Sequence, residues 1–144
     1  MPKSEGSVTI NAPIENVFDA ATDPEKTAKY VTTAELTGTK GKPDELGSYS
    51  EWTYPVAGMK IKGKMIVSEV ERPRRLVQDM SGTMTGKWIW NLEQDGQVVK
   101  VDFCIEYSVP FGILGKIVHK LYLRRMNQKN MEKTLRGLKA YCET

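Results

Sequence analysis

The stretch QDGQVVKVDFCIEYSVPFGILGKIVHKLYLRRMNQKNMEKTLRGLKAYC, residues 94–142, decides the fold. Asp95-Gly96 is a hairpin dipeptide with alternating runs on both sides. After it, Val99, Val101, Phe103, Ile105, Tyr107 and Val109 share one face of a strand over 97–109, and Lys100, Asp102, Cys104 and Glu106 share the other. Pro110 and Gly112 end the strand, and the period changes. Leu114, Ile117, Val118, Leu121, Met131, Leu135, Leu138 and Cys142 fall on one apolar stripe at helical spacing, interrupted midway by Arg124, Arg125 and Gln128. A strand this long spans roughly 44 Å at ~3.4 Å per residue. A helix of about 29 residues at ~1.5 Å each spans the same distance. The helix is therefore expected to lie along the last strand.

Upstream of this unit the period is two almost throughout. Val8, Ile10 and Ala12 alternate with polar neighbours and predict an opening strand. Ile14, Val17, Phe18 and Ala21 recur at helical spacing after Pro13, and Asp23-Pro24 supplies a cap and first position for a second short helix ending near Tyr30. Strands are then expected over 33–39, 48–54, from Met59 to Val67, over 75–81 and over 87–94. The segments 41–47, 55–58 and 71–74 are the turns between them, and 82–86 is a connection. The fold class is α+β: a strongly curved antiparallel sheet with two short helices after its first strand, wrapped around a long C-terminal helix.

Composition bounds the rest. The 144 residues are 40% hydrophobic and 27% charged, which predicts one globular domain over 1–144 rather than disorder. No apolar run approaches the ~20 residues of a membrane span. The N-terminus lacks the pattern of a signal peptide, so a cytoplasmic location is expected. Cys104 and Cys142 match no metal spacing and are read as free thiols. With His119 as the lone histidine, neither a metal site nor a catalytic triad is expected, and no cofactor. The net charge of +3 hides an asymmetry: residues 113–144 carry eight basic residues against two acidic ones, about +6, which leaves about −3 for the remainder. That basic helix face is either a solvated surface or an attraction for a membrane surface or an acidic protein partner. Nucleic acid is not expected, because no exposed aromatics are interleaved with the basic residues.

A curled sheet with one apolar face must be covered, and one helix about 10 Å wide does not fill a deep curl. The space left over predicts an internal apolar cavity. Its lining is expected from Trp52, Tyr54, Met59, Ile61, Met65 and Met80 on the middle strands. Trp88, Trp90, Phe103, Ile105 and Tyr107 follow on the last two, with Leu121, Arg125 and Gln128 on the helix. Solid core is the alternative for the same face. Arg124, Arg125 or Gln128 would meet a polar head group where the stripe breaks, or else lie on the helix surface. Phe111, Ile113 and Leu114 would form an apolar portal beside Lys116 and Lys120. Gly63, on an apolar face, makes room for a bend or a ligand.

Three segments now resemble a known family. Ile10-Asn11-Ala12-Pro13-Ile14-Glu15-Asn16-Val17-Phe18-Asp19-Ala20 with Thr22-Asp23-Pro24-Glu25 resembles the opening of the polyketide cyclase/START-like superfamily, also called SRPBCC or Bet v 1-like. Val70-Glu71-Arg72-Pro73-Arg74-Arg75-Leu76-Val77 is similar to its mid-sheet segment. Phe111-Gly112-Ile113-Leu114-Gly115 before the basic helix, closing on Leu135-Arg136-Gly137-Leu138-Lys139, is similar to its last helix. The resemblance implies a helix-grip fold with seven antiparallel strands and an internal cavity. It does not fix a function, because its members include carriers, receptors, cyclases and chaperone activators.

Three functions follow as expectations. The first is binding, as carrier or sensor, of a small hydrophobic molecule such as a lipid, an isoprenoid or quinone, or an aromatic polyketide. The second is a metal-free cyclase or dehydratase, for which Tyr54, Tyr107, Asp79, Glu51 and His119 are the candidate acids and bases, with Glu51 and Asp79 expected on the outer face. The third is a protein- or membrane-interaction module acting through the 111–120 tip.

Overall fold

Alternation builds seven strands and helical spacing builds the rest, in the order β1 (Lys3–Ile10), α1 (Ile14–Thr22), α2 (Pro24–Thr27), β2 (Glu35–Lys40), β3 (Tyr49–Val56), β4 (Met59–Glu71), β5 (Arg75–Gly82), β6 (Gly86–Asp95), β7 (Val98–Tyr107) and α3 (Arg124–Glu143). The computed structural model describes residues 3–56, 58–82, 85–108, 112, 116, 117, 120, 122 and 124–144. Among the described residues no helix is long and apolar enough to cross a membrane.

The strands form one antiparallel sheet in the order β1-β7-β6-β5-β4-β3-β2. Strands β2 to β7 meander, and β1 pairs back onto β7, so α1 and α2 carry the chain from one edge of the sheet to the other. The Asp95-Gly96 turn forms as the dipeptide predicts: Asp95 pairs with Val98, and Gly96 takes the left-handed φ of 63° that favours glycine. Asp23 caps α2, its carboxylate accepting from the Glu25 amide at 3.0 Å, with Pro24 in the first helical position. The longest strand is β4, with thirteen residues, and the register slips between Val67 and Glu69 and again in β2 between Leu36 and Gly38. Such bulges bend a strand and sharpen its twist. This is the α+β helix-grip.

Several boundaries move. β1 begins at Lys3 and stops at Ile10, so Ala12 lies beyond it, because Pro13 already commits the chain to α1. α2 covers only Pro24–Thr27, and residues 28–30 form turns. Helix α3 does not run along β7 but packs against β1 and α1. Gly6 explains the choice: a Cβ there would lie 2.7 Å from Leu135 Cδ1 and 3.2 Å from Met131 Cγ, so only glycine lets the helix approach β1 this closely. Side chains of α3 also satisfy this edge of the sheet. Gln128 Nε2 donates to the Glu5 carbonyl at 3.0 Å, Lys139 Nζ donates to the Thr9 carbonyl, and Glu143 accepts from the Asn11 amide at 2.9 Å. Edge strands left with free backbone groups invite aggregation, and this one is covered.

The main core joins α1, α3 and the sheet through Phe18, Ile10, Leu76, Val99, Val101, Trp90, Leu92, Leu135 and Leu138. Arg72, in the β4–β5 turn, clamps the outside of α1 through Glu15 and Asp19, with its guanidinium 5.0 Å from the centre of the Phe18 ring. Further along the same strands the packing changes. Met65, Met80 and Tyr107 form a separate buried cluster with half-buried Trp52, Trp88 and Ile105, and Ile61 forms a third with Tyr54 and Met126.

Candidate functional site

A cavity of about 130 Å³ opens between the concave face of the sheet and α3. Nine of the fourteen expected lining residues surround it: Trp52 and Tyr54 from β3, Met65 from β4, Met80 from β5, Trp88 and Trp90 from β6, and Phe103, Ile105 and Tyr107 from β7. The inward phase of β3 and β5 is thereby fixed, since both bulges fall in other strands. Gly63 also lines the cavity. A Cβ there would lie 3.3 Å from Tyr54 Cε1, so the glycine gives the tyrosine ring its place.

The remaining expectations divide. Met59 stands at the β3–β4 hairpin, where the chain leaves the sheet, and is 51% exposed rather than lining the cavity. Ile61 is buried against Tyr54 and Met126, outside the wall itself. Arg125 is exposed, and Gln128 is engaged with β1, so neither meets the cavity. The helical phase is the reason. The turn of α3 that faces the cavity carries Met126, Asn127, Asn130, Met131 and Thr134, and the positions of Arg125 and Gln128 point elsewhere. Leu121 and the portal residues Phe111, Ile113 and Leu114 lie outside the described residues, as does His119.

Sequence reasoning missed this polar side of the wall. Asn127, Asn130 and Thr134 recur at helical spacing beside the apolar stripe, a signal that was available. Among the described residues Ser4 of β1, Thr27 of α2, Pro55 of β3 and the loop residues Val31, Thr33 and Ala34 also line the cavity, and no periodicity marks those of the loop.

Three buried polar atoms in wall residues stand out. Tyr54 Oη, Trp88 Nε1 and Trp90 Nε1 are sealed from solvent, and among the described residues none has a hydrogen-bond partner. Trp52 differs: its Nε1 donates to Ser50 Oγ at 2.9 Å. Trp90 is 1% exposed and stacks on Phe103 with ring centres 3.7 Å apart, while Trp88 meets the same ring edge-on at 5.4 Å. Leaving a buried donor unmet costs about 1–3 kcal/mol each. Burial pushes the Tyr54 hydroxyl above its ordinary pKa, so at neutral pH it is a neutral donor.

Of the candidate acids and bases, Tyr54 and Tyr107 share the cavity wall. Asp79 lies on the outer face, where it accepts from Ser68 and pairs with Lys87, and Glu51 is exposed beside Gly38. Among the described residues no group of His, Cys, Asp and Glu is arranged to hold a metal ion.

A family model described as polyketide cyclase/dehydrase and lipid transport matches residues 1–143. The chain belongs to that family. Solved structures of the same fold cover nearly the whole chain. The TTHA0849 protein of Thermus thermophilus is 23% identical, with a TM-score of 0.78, and covers 98% of this chain and 97% of its own. The Aha1 dimer of Colwellia psychrerythraea is 16% identical with a TM-score of 0.71, covering 99% and 97%. Ara h 8.0201 is 15% identical with a TM-score of 0.67, covering 98% and 97%. At these identities the likeness is one of fold. No curated protein matches the chain. In this member of the polyketide cyclase/dehydrase and lipid transport family, methionines, indoles and tyrosines line the cavity from the sheet, and amides, a hydroxyl and two methionines line it from the helix.

Proposed function

We propose that the chain binds a small hydrophobic molecule carrying an acceptor oxygen, as a carrier or sensor, in the cavity between sheet and α3. Tyr54, Trp88 and Trp90, whose buried polar atoms lack partners among the described residues, stand in a wall that also holds Asn127, Asn130 and Thr134, and this combination of apolar surface with hydrogen-bonding groups carries the reading. An acceptor on a ligand would relieve part of their burial cost, which a purely aliphatic molecule does not do. Size narrows the class. An apolar cavity of ~150 Å³ takes one benzene ring. The 130 Å³ here therefore suits a single ring or short branched unit. Aromatic polyketide, quinone or isoprenoid ligands are all built from such units. Met65, Met80, Met126 and Met131 supply flexible walls that can adapt to a larger one.

The enzyme alternative retains Tyr54 and Tyr107. The raised pKa of Tyr54 makes it a weaker proton donor and leaves it a neutral hydrogen-bond donor, which favours binding over chemistry at that residue. A surface role for α3 has its own support: Arg124, Arg125, Lys129, Lys133 and Arg136 are exposed, and among the described residues none forms an ion pair.

Thermal unfolding with acetophenone, which joins one ring to one carbonyl, tests the proposal, together with native mass spectrometry of protein taken directly from cells. Ligand at 100 times its Kd stabilises by about 2.7 kcal/mol, which raises Tm by roughly 5–10 °C in a domain of this size. An apolar species carried through purification, or such a rise, supports the reading. A protein that emerges empty and gains no stability from any class of apolar ligand overturns it.

A further inference from the structure

A second cavity, of about 250 Å³, lies beside the first, between the start of α2, the β2–β3 loop and the inward faces of β4 and β5. Its character is different. Gln78 and Ser50 line it from the sheet, and Asp23, Glu25 and Lys40 stand around it. Gln78 is 7% exposed and occupies the inward row of β5 between Leu76 and Met80, where the alternation reserves a place for core. Among the described residues its side-chain amide has no hydrogen-bond partner. Its amide is not among the sealed polar atoms but opens on the cavity, where a hydroxyl or amide of a ligand can meet it in place of water. Ser50 is 2% exposed and spends its oxygen on Trp52 Nε1, which leaves its hydroxyl proton free to donate into the same space.

One residue belongs to both cavities. Met65 is 4% exposed and lines the apolar cavity and the polar one. A thioether side chain with three rotatable bonds is a wall that can move. The first cavity alone admits little more than a ring, so a longer molecule needs the second. We infer that the second cavity seats a neutral hydroxyl or amide group at the far end of a ligand whose apolar ring occupies the first, with Met65 as the movable wall between them. The Gln78 amide both donates and accepts, which matches a hydroxyl or an amide. Two carboxylates against one ammonium around the cavity disfavour an anionic head group. The inference rests on the ligand-binding reading above.

Calorimetric titration with paired probes separates the two. 6-Phenyl-1-hexanol and hexylbenzene share a ring and a chain and differ by one hydroxyl. The native protein is expected to prefer the alcohol by about five- to tenfold, the value of one neutral hydrogen bond gained against an unmet partner. In Gln78→Met, which keeps the length of the side chain, that preference disappears while hexylbenzene binds as before. Gln78→Leu repeats the measurement should Gln78→Met fold poorly. A preference that survives both substitutions, or no preference in the native protein, overturns the second-cavity inference and leaves the first cavity standing. If neither probe binds the native protein, the ligand-binding reading falls and takes this inference with it.

Discussion

Where β6 and β7 approach their hairpin, the concave face meets α1 and α3 through Phe18, Leu92, Val99, Val101 and Leu138, and their side chains bring no polar atom. Further along the same two strands the inward residues are Trp88, Ile105 and Tyr107, joined by Met65 and Met80, and here the wall opens. Both regions obey one alternation rule and belong to one sheet. They differ in the side chains chosen. Branched aliphatics and a phenylalanine close-pack against helices on one side, whereas flexible thioethers and amphipathic rings face a gap on the other. A strand pattern therefore states which residues point inward, and side-chain chemistry states whether they will find something to pack against.

That contrast is exposed to mutation. The largest effect is expected at the packed region: Phe18→Ala should cost about 3–5 kcal/mol in urea unfolding, since the ring is fully buried among fixed neighbours. Met80→Ala, beside existing space, should cost about 2 kcal/mol, the low end for a buried methionine. Equal losses would break the distinction. The glycines sharpen it. Gly6→Ala drives a methyl to 2.7 Å from Leu135 Cδ1 in packed core and should cost about 1–3 kcal/mol. Gly63→Ala presses only on Tyr54, which has the cavity to move into, and should cost less than about 1.5 kcal/mol.

Tyr54→Phe reverses the sign. Removing an unmet buried hydroxyl should leave stability unchanged or raise it by about 1 kcal/mol, while affinity for acetophenone falls several-fold. A clear loss of stability would mean that the hydroxyl has a native partner. The smallest effect concerns Cys142, packed at the margin of the main core, where burial pushes the thiol up to about 11. The thiol stays protonated at pH 8, so native-state alkylation by iodoacetamide should be about 100-fold slower than for an ordinary thiol and should accelerate as pH approaches 11. Because the folded pKa is the raised one, the associated stability is whole below about pH 9 and is lost on the way to 11. Alkylation at the ordinary rate at pH 8 would contradict this burial.

Much of this was legible in the sequence. Asp95-Gly96 fixed the last hairpin, period-two runs located the strands, and Trp52, Tyr54, Met65, Met80, Trp88 and Tyr107 were readable as wall residues because aromatics and methionines cluster on one phase. The rest needed three dimensions. Arg125 and Gln128 break the apolar stripe, yet the helix turns Asn127, Asn130 and Thr134 toward the space, because Gly6 sets how α3 sits on β1. Met59 has the right phase but lies at the hairpin end of its strand, where it is exposed. Gln78 occupies a core position without being core, and only its neighbours reveal that its amide opens on a second cavity. A gap is a property of two surfaces together, and no single strand encodes it.

The most direct test of the account is a methyl NMR titration of the protein, labelled at the methionine and leucine methyl groups, with acetophenone. The resonances of Met65, Met80, Met126 and Met131 are expected to shift together and saturably, while Leu138 in the packed region and exposed Met59 stay in place. Shifts absent from the four methionines, or spread equally over Leu138 and Met59, would contradict a ligand cavity at this site.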